Sequence, residues 1–318
     1  MPKGMVINMD NKKISFKENV KRDFRQNYSL YLMVIPVIAF YVLFCYKPMY
    51  GILIAFTDFD VRSGLSGSTF IGLENFRRFF SDPYFLRNIV NTVKISLASI
   101  VFGFPAPILL ALMMNELNTK YFKRFVQTAT YLPHFISLVV VCGMIRNFVS
   151  ADGLVTTFIS EIIGKNIQES LLYMPKLFTS IYVTTDIWQE VGWGSIIYMA
   201  ALSSVSAELY EAARIDGAGR FRQTISVTIP SILPTVVIML ILRLGGILAV
   251  GYEKIMLLIN QFNADSAEVL SYYIYKKGLV NNDYGLATAA GLFNSVINLL
   301  FVVGANFISK RLTETSLW

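Results

Sequence analysis

The sequence predicts an all-α membrane protein with six transmembrane helices. Only 15% of the 318 residues are charged and 54% are hydrophobic, against roughly 25% and 45–50% in soluble domains. A helix needs about 20 mainly apolar residues to cross the hydrocarbon core of a bilayer. Six stretches reach that length, at about residues 29–54, 88–114, 125–149, 178–202, 229–251 and 285–308. We therefore expect two parts, a tail of residues 1–28 and a membrane domain of residues 29–318.

The tail predicts the orientation of the chain. It lacks the small-residue cleavage site of a signal peptide, and its basic side chains are Lys3, Lys12, Lys13, Lys17, Lys21, Arg22 and Arg25. Lys and Arg beside a first span resist translocation, so the tail is expected in the cytoplasm. Six spans then return Lys310 and Arg311 to the same side. This topology explains the formal charge of +7 better than nucleic-acid binding does.

The motifs of several enzyme classes are absent from the sequence. It has no G-x-x-x-x-G-K-[ST], H-E-x-x-H or G-x-S-x-G pattern, which argues against a P-loop, a zinc protease site and a nucleophile elbow. The sole histidine, His134, has no activated nucleophile near it in the sequence and is expected to be structural. Cys45 and Cys142 lie inside apolar stretches, which disfavours a disulfide or a metal site. We expect no catalytic residue, no metal and no cofactor bound by this chain.

Prolines interrupt the first three spans. Pro36, Pro105, Pro107 and Pro133 free backbone carbonyls that lipid cannot satisfy, so neighbouring helices are expected to pack there. Between the first two spans, the loop 72–88 mixes five aromatic side chains with arginines. This composition predicts an amphipathic helix at the membrane interface. The alternative is a docking surface for an extracellular partner.

The fourth span carries a polar face. The spacing i, i+3, i+4, i+7 and i+11 of one helical face is followed by Asp186, Gln189, Glu190, Trp193 and Ile197. Ionisable groups inside a span are costly and usually face a polar pathway or one another. An acidic and aromatic face suits a sugar, because the hydroxyls bond to carboxylates while the C–H face stacks on an indole. We therefore expect the substrate pathway along this face.

The last two spans add polar candidates to that pathway. Arg243 lies in the outer half of the fifth span, and Asn294 and Asn298 share a face of the sixth. Each has a packing alternative: Arg243 could neutralise Asp186 or Glu190, and the asparagines could bind neighbouring helices. Snorkelling explains three further cations near the outer span ends, Lys47, Lys94 and Arg146. Together with Arg243, they leave open an acidic saccharide.

The segment 206–230 is charged although it lies between two apolar stretches. Ser206 can cap a helix, and Glu208 suits its first turn. Gly217 fits the end of that helix, since glycine accepts the left-handed conformation. A second short helix and a new span that begins near Pro230 are expected to follow. The residues alone leave two interpretations, a helix–turn–helix across the cytoplasmic mouth or a solvated loop.

A longer motif runs through this segment into the next span. It has the form E-A-A-x-x-x-G, nine residues, then apolar-x-apolar-proline, and it reads Glu211-Ala212-Ala213, Gly217, Val227, Ile229 and Pro230. That pattern resembles the signature of permease subunits of binding-protein-dependent ABC importers. The runs FIGLENFRRFF, YLPHFIS and DGL and the ending NFISKRLTETSLW are similar to the carbohydrate branch, and SLW resembles oligosaccharide and polysaccharide-fragment systems. The resemblance covers residues 20–318 and implies a type I ABC importer permease fold.

The resemblance implies a function and partners. Residues 206–226 would contain a coupling helix that docks on a separate ATPase subunit, with the contact formed by Glu211, Ala212, Ala213, Asp216 and Gly217. The implied function is uptake of a carbohydrate by alternating access, driven by ATPase subunits that use ATP and Mg²⁺. The implied partners are a second homologous permease in a heterodimer, two ATPase subunits, an extracellular or periplasmic sugar-binding protein and membrane lipid, with no nucleic acid. The implied location is the bacterial inner membrane, with both termini cytoplasmic.

Two other functions stay open on the residues. An ion-coupled secondary sugar transporter would use Asp186 and Glu190 as coupling groups, but it would leave the coupling segment without a purpose. A membrane enzyme acting on a lipid-linked sugar would need an acid/base pair near an interface. Uptake that requires the ATPase and ignores an ion gradient would separate the importer from both.

Overall fold

The computed structural model describes residues 23–313 and 316–318. It divides the chain into two compact units, Met1–Leu53 and Ile54–Trp318. Most of the predicted basic tail lies outside the described residues, so its boundary at residue 28 stays a prediction.

The first unit contains most of one long apolar helix. Its regular part is α1 (Tyr28–Phe40), with Pro36 inside it, and a π-helical segment, Tyr41–Tyr46, and a last turn, Lys47–Met49, continue the helix. A 3₁₀ segment, Tyr50–Phe56, follows and contains the boundary between the units.

The second unit is mainly helical. Its helices are α2 (Glu74–Phe80), α3 (Phe85–Ala98), α4 (Pro105–Asn115), α5 (Lys120–Tyr131), α6 (Leu138–Phe148), α7 (Leu154–Ile163), α8 (Phe178–Ser203), α9 (Ala207–Ile215), α10 (Arg220–Gln223), α11 (Ile229–Leu244), α12 (Tyr252–Leu258), α13 (Ala264–Ala267), α14 (Leu270–Tyr275) and α15 (Tyr284–Thr313). Two short strands, β1 (Thr57–Asp58) and β2 (Thr69–Phe70), pair antiparallel with Thr57 opposite Phe70. The all-α prediction therefore misses one small hairpin.

Four helices of the described chain are long and apolar enough to cross a membrane. They are Tyr28–Phe56, Phe85–Asn115, Arg220–Leu244 and Tyr284–Arg311. Three of them are continuous through π-helical segments: Tyr41–Tyr46 after α1, Ser99–Gly103 between α3 and α4, and Thr224–Thr228 between α10 and α11. The chain is thus a membrane protein.

The third predicted span is not straight. The helical run Lys120–Phe135 and helix α6 meet at an angle of 99°, and the pair gives a fifth span only if it is counted as one. Pro133 lies in a 3₁₀ turn there, and Ser137 starts α6 by accepting a hydrogen bond from the Val140 N–H. These two residues explain the bend, because Pro133 ends the first helix and Ser137, as the N-cap, begins α6.

The fourth predicted span is one 26-residue helix, α8. It is not among the four apolar helices, because Asp186, Gln189 and Glu190 lower its hydropathy. The six-span count therefore stays a prediction, with α8 and the bent pair as the two candidates that would complete it.

The fifth predicted span is displaced along the sequence. The sequence predicts it at residues 229–251, but the helix begins at Arg220 and ends at Leu244. Gly245 and Gly246 follow in a turn, and two glycines in succession favour a helix end. The predicted second short helix, α10, is therefore the start of this span and not a separate element.

Helix α8 packs along α4 and against the bend after α5. Its Gly192 lies directly on the Thr130 backbone, where an added Cβ would sit 2.0 Å from the carbonyl oxygen. The main core surrounds the other half of α8 and contains the buried residues Ile95, Val141, Phe178, Val183, Ile255 and Leu258. Helix α8 thus contacts α4, the bend and the main core.

The aromatic loop 72–88 packs inward. Phe79 of α2 is fully buried, with its ring 5.5 Å from Phe293 and 6.0 Å from Tyr273. Phe80 beside it is half exposed. Part of the aromatic face is therefore core rather than the membrane-interface surface that the composition predicts.

Ion pairs and a hydrogen bond connect the start of α3 and the residues before it to the α13–α14 region. Arg87 contacts Asp265 at 2.5 Å and Glu268 at 2.6 Å. Asp82 accepts a 2.7 Å hydrogen bond from the Tyr273 hydroxyl and lies 3.1 Å from Lys277. Burial alone would raise the pKa of Asp82, but these contacts and the Tyr84 N–H hold it below its usual value. The carboxylate is therefore charged near neutral pH and anchors α14.

Candidate functional site

A polar cavity of about 370 Å³ lies in the half of the second unit away from α9. Its walls are α3, the first half of α8, the end of α11 and the chain from Gly246 to Lys254, with polar or charged side chains from Ser96, Ser99, Tyr182, Asp186, Gln189, Glu190, Arg243, Glu253 and Lys254. Small-molecule sites in proteins have volumes of about 300–1,000 Å³. The cavity is therefore the candidate substrate site.

The cavity wall that follows α11, from Gly246 to Lys254, is fixed by hydrogen bonds between side chains of other segments and its backbone. Ser96 donates to the Ile247 carbonyl, and Ser271 donates to the Val250 carbonyl. The Leu248 N–H donates to Asn298 Oδ1 at 3.1 Å. Asn298 therefore positions this wall and does not line the cavity, as its packing alternative predicts.

The buried ammonium of Lys254 contacts the α8 face. Its Nζ lies 3.3 Å from Asp186 Oδ1 and 3.1 Å from the Tyr182 carbonyl, and 4.5 Å from the centre of the Tyr182 ring. The residue is only 4% exposed. Asp186 therefore pairs with Lys254 and not with Arg243, the partner that sequence reasoning considered.

Glu190 joins the cavity to the bend between α5 and α6. Its Oε2 lies 2.9 Å from His134 Nδ1, and the imidazole stacks on Trp193 at 4.5 Å. Gln189, which is 7% exposed, points its amide at the Ile136 carbonyl at 3.4 Å. Side chains on successive turns of α8 thus contact the bend, and a purely structural role for His134 stays a prediction.

The structure brings together four of the seven predicted pathway residues. Asp186, Gln189, Glu190 and Arg243 line the cavity, and Trp193, Asn294 and Asn298 do not. The indole is turned onto His134, and the Asn298 amide lies 3.5 Å from Asn294 Oδ1. Contact of any of these residues with a substrate stays a prediction.

Sequence reasoning missed several wall residues. They are Lys254, Ser96, Ser99, Tyr182 and Glu253, none of which the sequence singles out as a pathway candidate. One local signal was present for the lysine: it stands between Glu253 and the apolar run of residues 255–259, and a cation beside an apolar run is often buried with a partner. No pattern in the sequence identified that partner.

The second candidate site is the segment around α9. Ser206 caps α9 by accepting from the Glu208 N–H at 3.2 Å. At the other end Gly217 has a φ of 76°, its N–H bonds to the Arg214 carbonyl, and the Ala218 N–H bonds to the Ala213 carbonyl. This pair of bonds is a Schellman motif, so the predicted cap and left-handed glycine are confirmed.

The surface of this segment is open. Glu211, Ala212 and Asp216 are exposed, and Ile215 and Phe221 are 87% and 79% exposed. The Tyr210 hydroxyl lies 3.0 Å from Thr228 Oγ1 and ties α9 to the start of the next span. The segment thus presents charged, small and apolar side chains on a fixed base.

The chain is similar to known transport proteins over nearly its full length. It is 38% identical over 308 residues to Protein LplB of Bacillus subtilis strain 168, covering 96% of this chain and 95% of that protein. It is 39% identical over 290 residues to the polygalacturonan/rhamnogalacturonan transport system permease protein YteP of the same strain, covering 91% and 90%.

A solved structure has the same fold. It is a chain in the crystal structure of a bacterial alginate ABC transporter in complex with an alginate pentasaccharide-bound periplasmic protein. The TM-score is 0.85 and the identity 42%, with 94% of this chain and 100% of that chain covered. Residues 103–314 match the family model described as binding-protein-dependent transport system inner membrane component. Together with the motif at residues 211–230, these matches establish that the chain belongs to the family of binding-protein-dependent transport system inner membrane components.

Proposed function

We propose that this chain is one permease subunit of an ATP-driven importer that takes up an acidic oligosaccharide or polysaccharide fragment. The observation that carries the carbohydrate assignment is the polar cavity on α8, with carboxylate, guanidinium, hydroxyl and amide groups around about 370 Å³. Sugar hydroxyls both donate and accept hydrogen bonds, so a wall with both signs of charge can bind them. The acidic class is supported by the two relatives whose names specify alginate and polygalacturonan or rhamnogalacturonan.

The segment around α9 is proposed as the coupling helix. Glu211 and Asp216 would contact cations of an ATPase subunit, and Ala212 and Ala213 would allow close approach. Gly217 would set the turn into the next span. The exposed Ile215 and Phe221 support this role, because exposed apolar side chains next to charges are typical of a protein contact.

The proposed assembly contains four further proteins. A second, homologous permease would complete the pathway as a heterodimer, and two ATPase subunits would bind ATP and Mg²⁺. A sugar-binding protein outside the membrane would deliver the substrate, and the similar alginate transporter supports this partner because it crystallised in complex with a pentasaccharide-bound periplasmic protein. The chain would lie in the bacterial inner membrane with both termini cytoplasmic and α8 crossing the bilayer, its polar face turned inward.

Reconstitution tests this function. The chain is placed in proteoliposomes with the second permease and ATPases encoded beside it, and uptake of a labelled oligogalacturonate is measured with its binding protein. The expected result is uptake that requires ATP and binding protein and ignores a proton or sodium gradient. Uptake driven by an ion gradient without ATP would instead favour a secondary transporter.

A further inference from the structure

Two charged side chains in the cavity wall have no ion-pair partner within residues 23–313 and 316–318. They are Arg243, near the end of α11, and Glu253, in α12, and both are exposed. The other charged wall residues are engaged: Lys254 contacts Asp186, and Glu190 contacts His134. Arg243 and Glu253 are therefore the charged wall residues that a molecule in the cavity can meet without displacing a protein partner.

The two cations of the cavity differ in what they can do. Lys254 is 4% exposed, and its ammonium is occupied by the Tyr182 carbonyl and the Asp186 carboxylate. Arg243 is exposed, and its planar guanidinium can bind a carboxylate through two parallel hydrogen bonds. Only the arginine of this pair can therefore offer its charge to a molecule in the cavity.

Arg243 also has a local explanation, which does not account for its placement. A cation in the last turn of a helix interacts favourably with the helix dipole, and long cationic side chains near span ends often reach toward the membrane surface. Lys94 and Arg146 are exposed in this way and do not line the cavity. Arg243 lines the same cavity as Asp186 and Glu190, yet among the described residues its exposed guanidinium forms no ion pair with either carboxylate.

We propose that Arg243 selects the charge of the transported saccharide, with its guanidinium binding the carboxylate of one uronate unit in the cavity. Glu253, which lines the same cavity, accepts hydrogen bonds from the hydroxyls of the saccharide. A uronate carries its carboxylate and its hydroxyls at different ring positions, so one free cation and one free anion also orient it. This assignment rests on the proposed import of an acidic saccharide.

The test compares two saccharides that have the same sugar units and differ only at their carboxyl groups, which are charged in one and esterified in the other. The complete importer is reconstituted with its binding protein, and initial uptake rates are measured for a galacturonate trisaccharide and for its methyl ester. Each saccharide is used at a concentration that saturates the binding protein. The readout is the ratio of acid to ester uptake for the parent, Arg243→Gln, Arg243→Lys and Glu253→Gln. Arg146→Gln is the matched control, because it removes an exposed cation outside the cavity.

The expected result is a fall in the acid-to-ester ratio of about 10- to 100-fold in Arg243→Gln, the range of one hydrogen-bonded charge. Arg243→Lys keeps part of the ratio, Glu253→Gln raises it because a repelling carboxylate is removed, and Arg146→Gln leaves it at the parent value. An equal loss of acid and ester uptake in both Arg243 variants, or an unchanged ratio, would assign Arg243 to packing and overturn the inference. A parent that imports neither saccharide with ATP would overturn the proposed function and this inference with it.

Discussion

The carboxylate of Glu190 lies 2.9 Å from Nδ1 of His134, a residue 56 positions earlier in the chain. His134 stands in the 3₁₀ turn where the helical run from Lys120 bends by 99° into α6. The imidazole also stacks on Trp193, with the ring planes 3° apart. Glu190 lines the cavity, so one side chain connects the cavity to the bend.

The stack predicts that Trp193 and His134 act as a pair. Trp193→Ala and His134→Ala are each expected to lower uptake, and the double variant to lower it by less than the sum of their free-energy effects. The reason is that both remove the same contact, which is worth about 0.5–1.5 kcal/mol beyond its buried area. Initial uptake rates and thermal unfolding of the purified complex measure the coupling.

The control for this pair is Trp188, which is 44% exposed on the same helix and lines a different, apolar pocket. Trp188→Ala combined with His134→Ala is expected to be additive. If the effects of Trp193→Ala and His134→Ala were also additive, the stacking contact would contribute no free energy of its own.

The Lys254–Asp186 pair predicts an order of destabilisation. Asp186→Asn leaves an ammonium whose side chain is 5% exposed without a counter-charge, whereas Lys254→Met leaves a carboxylate that is 33% exposed and can be hydrated from the cavity. Breaking a buried pair costs roughly 3–5 kcal/mol, and we expect the larger loss in Asp186→Asn. Thermal unfolding in detergent ranks the two variants, and the reverse order would mean that the lysine is more hydrated than its burial indicates.

Gly192 predicts a backbone contact that tolerates no side chain. A methyl group there would lie 2.0 Å from the Thr130 carbonyl oxygen, so Gly192→Ala must push α8 away from the bend. We expect overpacking to cost about 1–3 kcal/mol and to reduce assembly of the complex. The matched control is Gly291→Ala in α15, where an added Cβ meets nothing within 4 Å. Equal yields and unfolding temperatures for the two variants would contradict the close approach.

Gly217 and Glu211 predict a loss of coupling without a loss of receptor binding. Gly217→Val places a β-branched residue at a φ of 76°, at a cost of roughly 1–2 kcal/mol, although nothing lies within 4 Å of the new Cβ. Glu211→Ala would leave an ATPase cation unpaired, at about 2–5 kcal/mol. Transport and substrate-stimulated ATP hydrolysis are expected to fall together in both.

The matched glycine for this experiment is Gly219. It has a φ of −67° and open space around its Cβ position, so Gly219→Val adds less backbone strain. ATPase turnover with and without loaded binding protein is the measurement, and a charge-swapped Glu211→Arg with its ATPase partner is expected to recover part of the activity. Normal coupling in both Gly217→Val and Glu211→Ala would reduce the segment to a solvated loop.

Topology is testable with introduced cysteines. In a background without Cys45 and Cys142, a cysteine at Lys12 or Arg220 is expected to resist an impermeant thiol reagent in intact cells, because both positions are proposed to be cytoplasmic. A cysteine at the exposed Lys165, after α7, is expected to react. Labelling at Arg220 from outside would invert the proposed orientation.

The sequence alone determined the features that depend on neighbouring residues. The apolar lengths placed α1, α3–α4 and α15, because a membrane span is specified by length and hydropathy. They also indicated a fifth span, but at residues 229–251 instead of Arg220–Leu244. Ser206 and Gly217 gave the two ends of α9, because caps are local hydrogen-bond patterns. The motif from Glu211 to Pro230 identified the family.

Tertiary structure alone decided which polar groups meet. Asp186 and Lys254 are 68 residues apart, and nothing in either stretch specifies the other. The chain between α11 and α15 has no long periodic segment, so the sequence could not show that it folds back over α8 and forms the cavity wall. The turn of Trp193 onto His134 likewise depends on the bend at Pro133, since helical spacing fixes a shared face but not the direction in which that face points. Burial of charged groups requires partners from distant segments, and only packing brings those segments together.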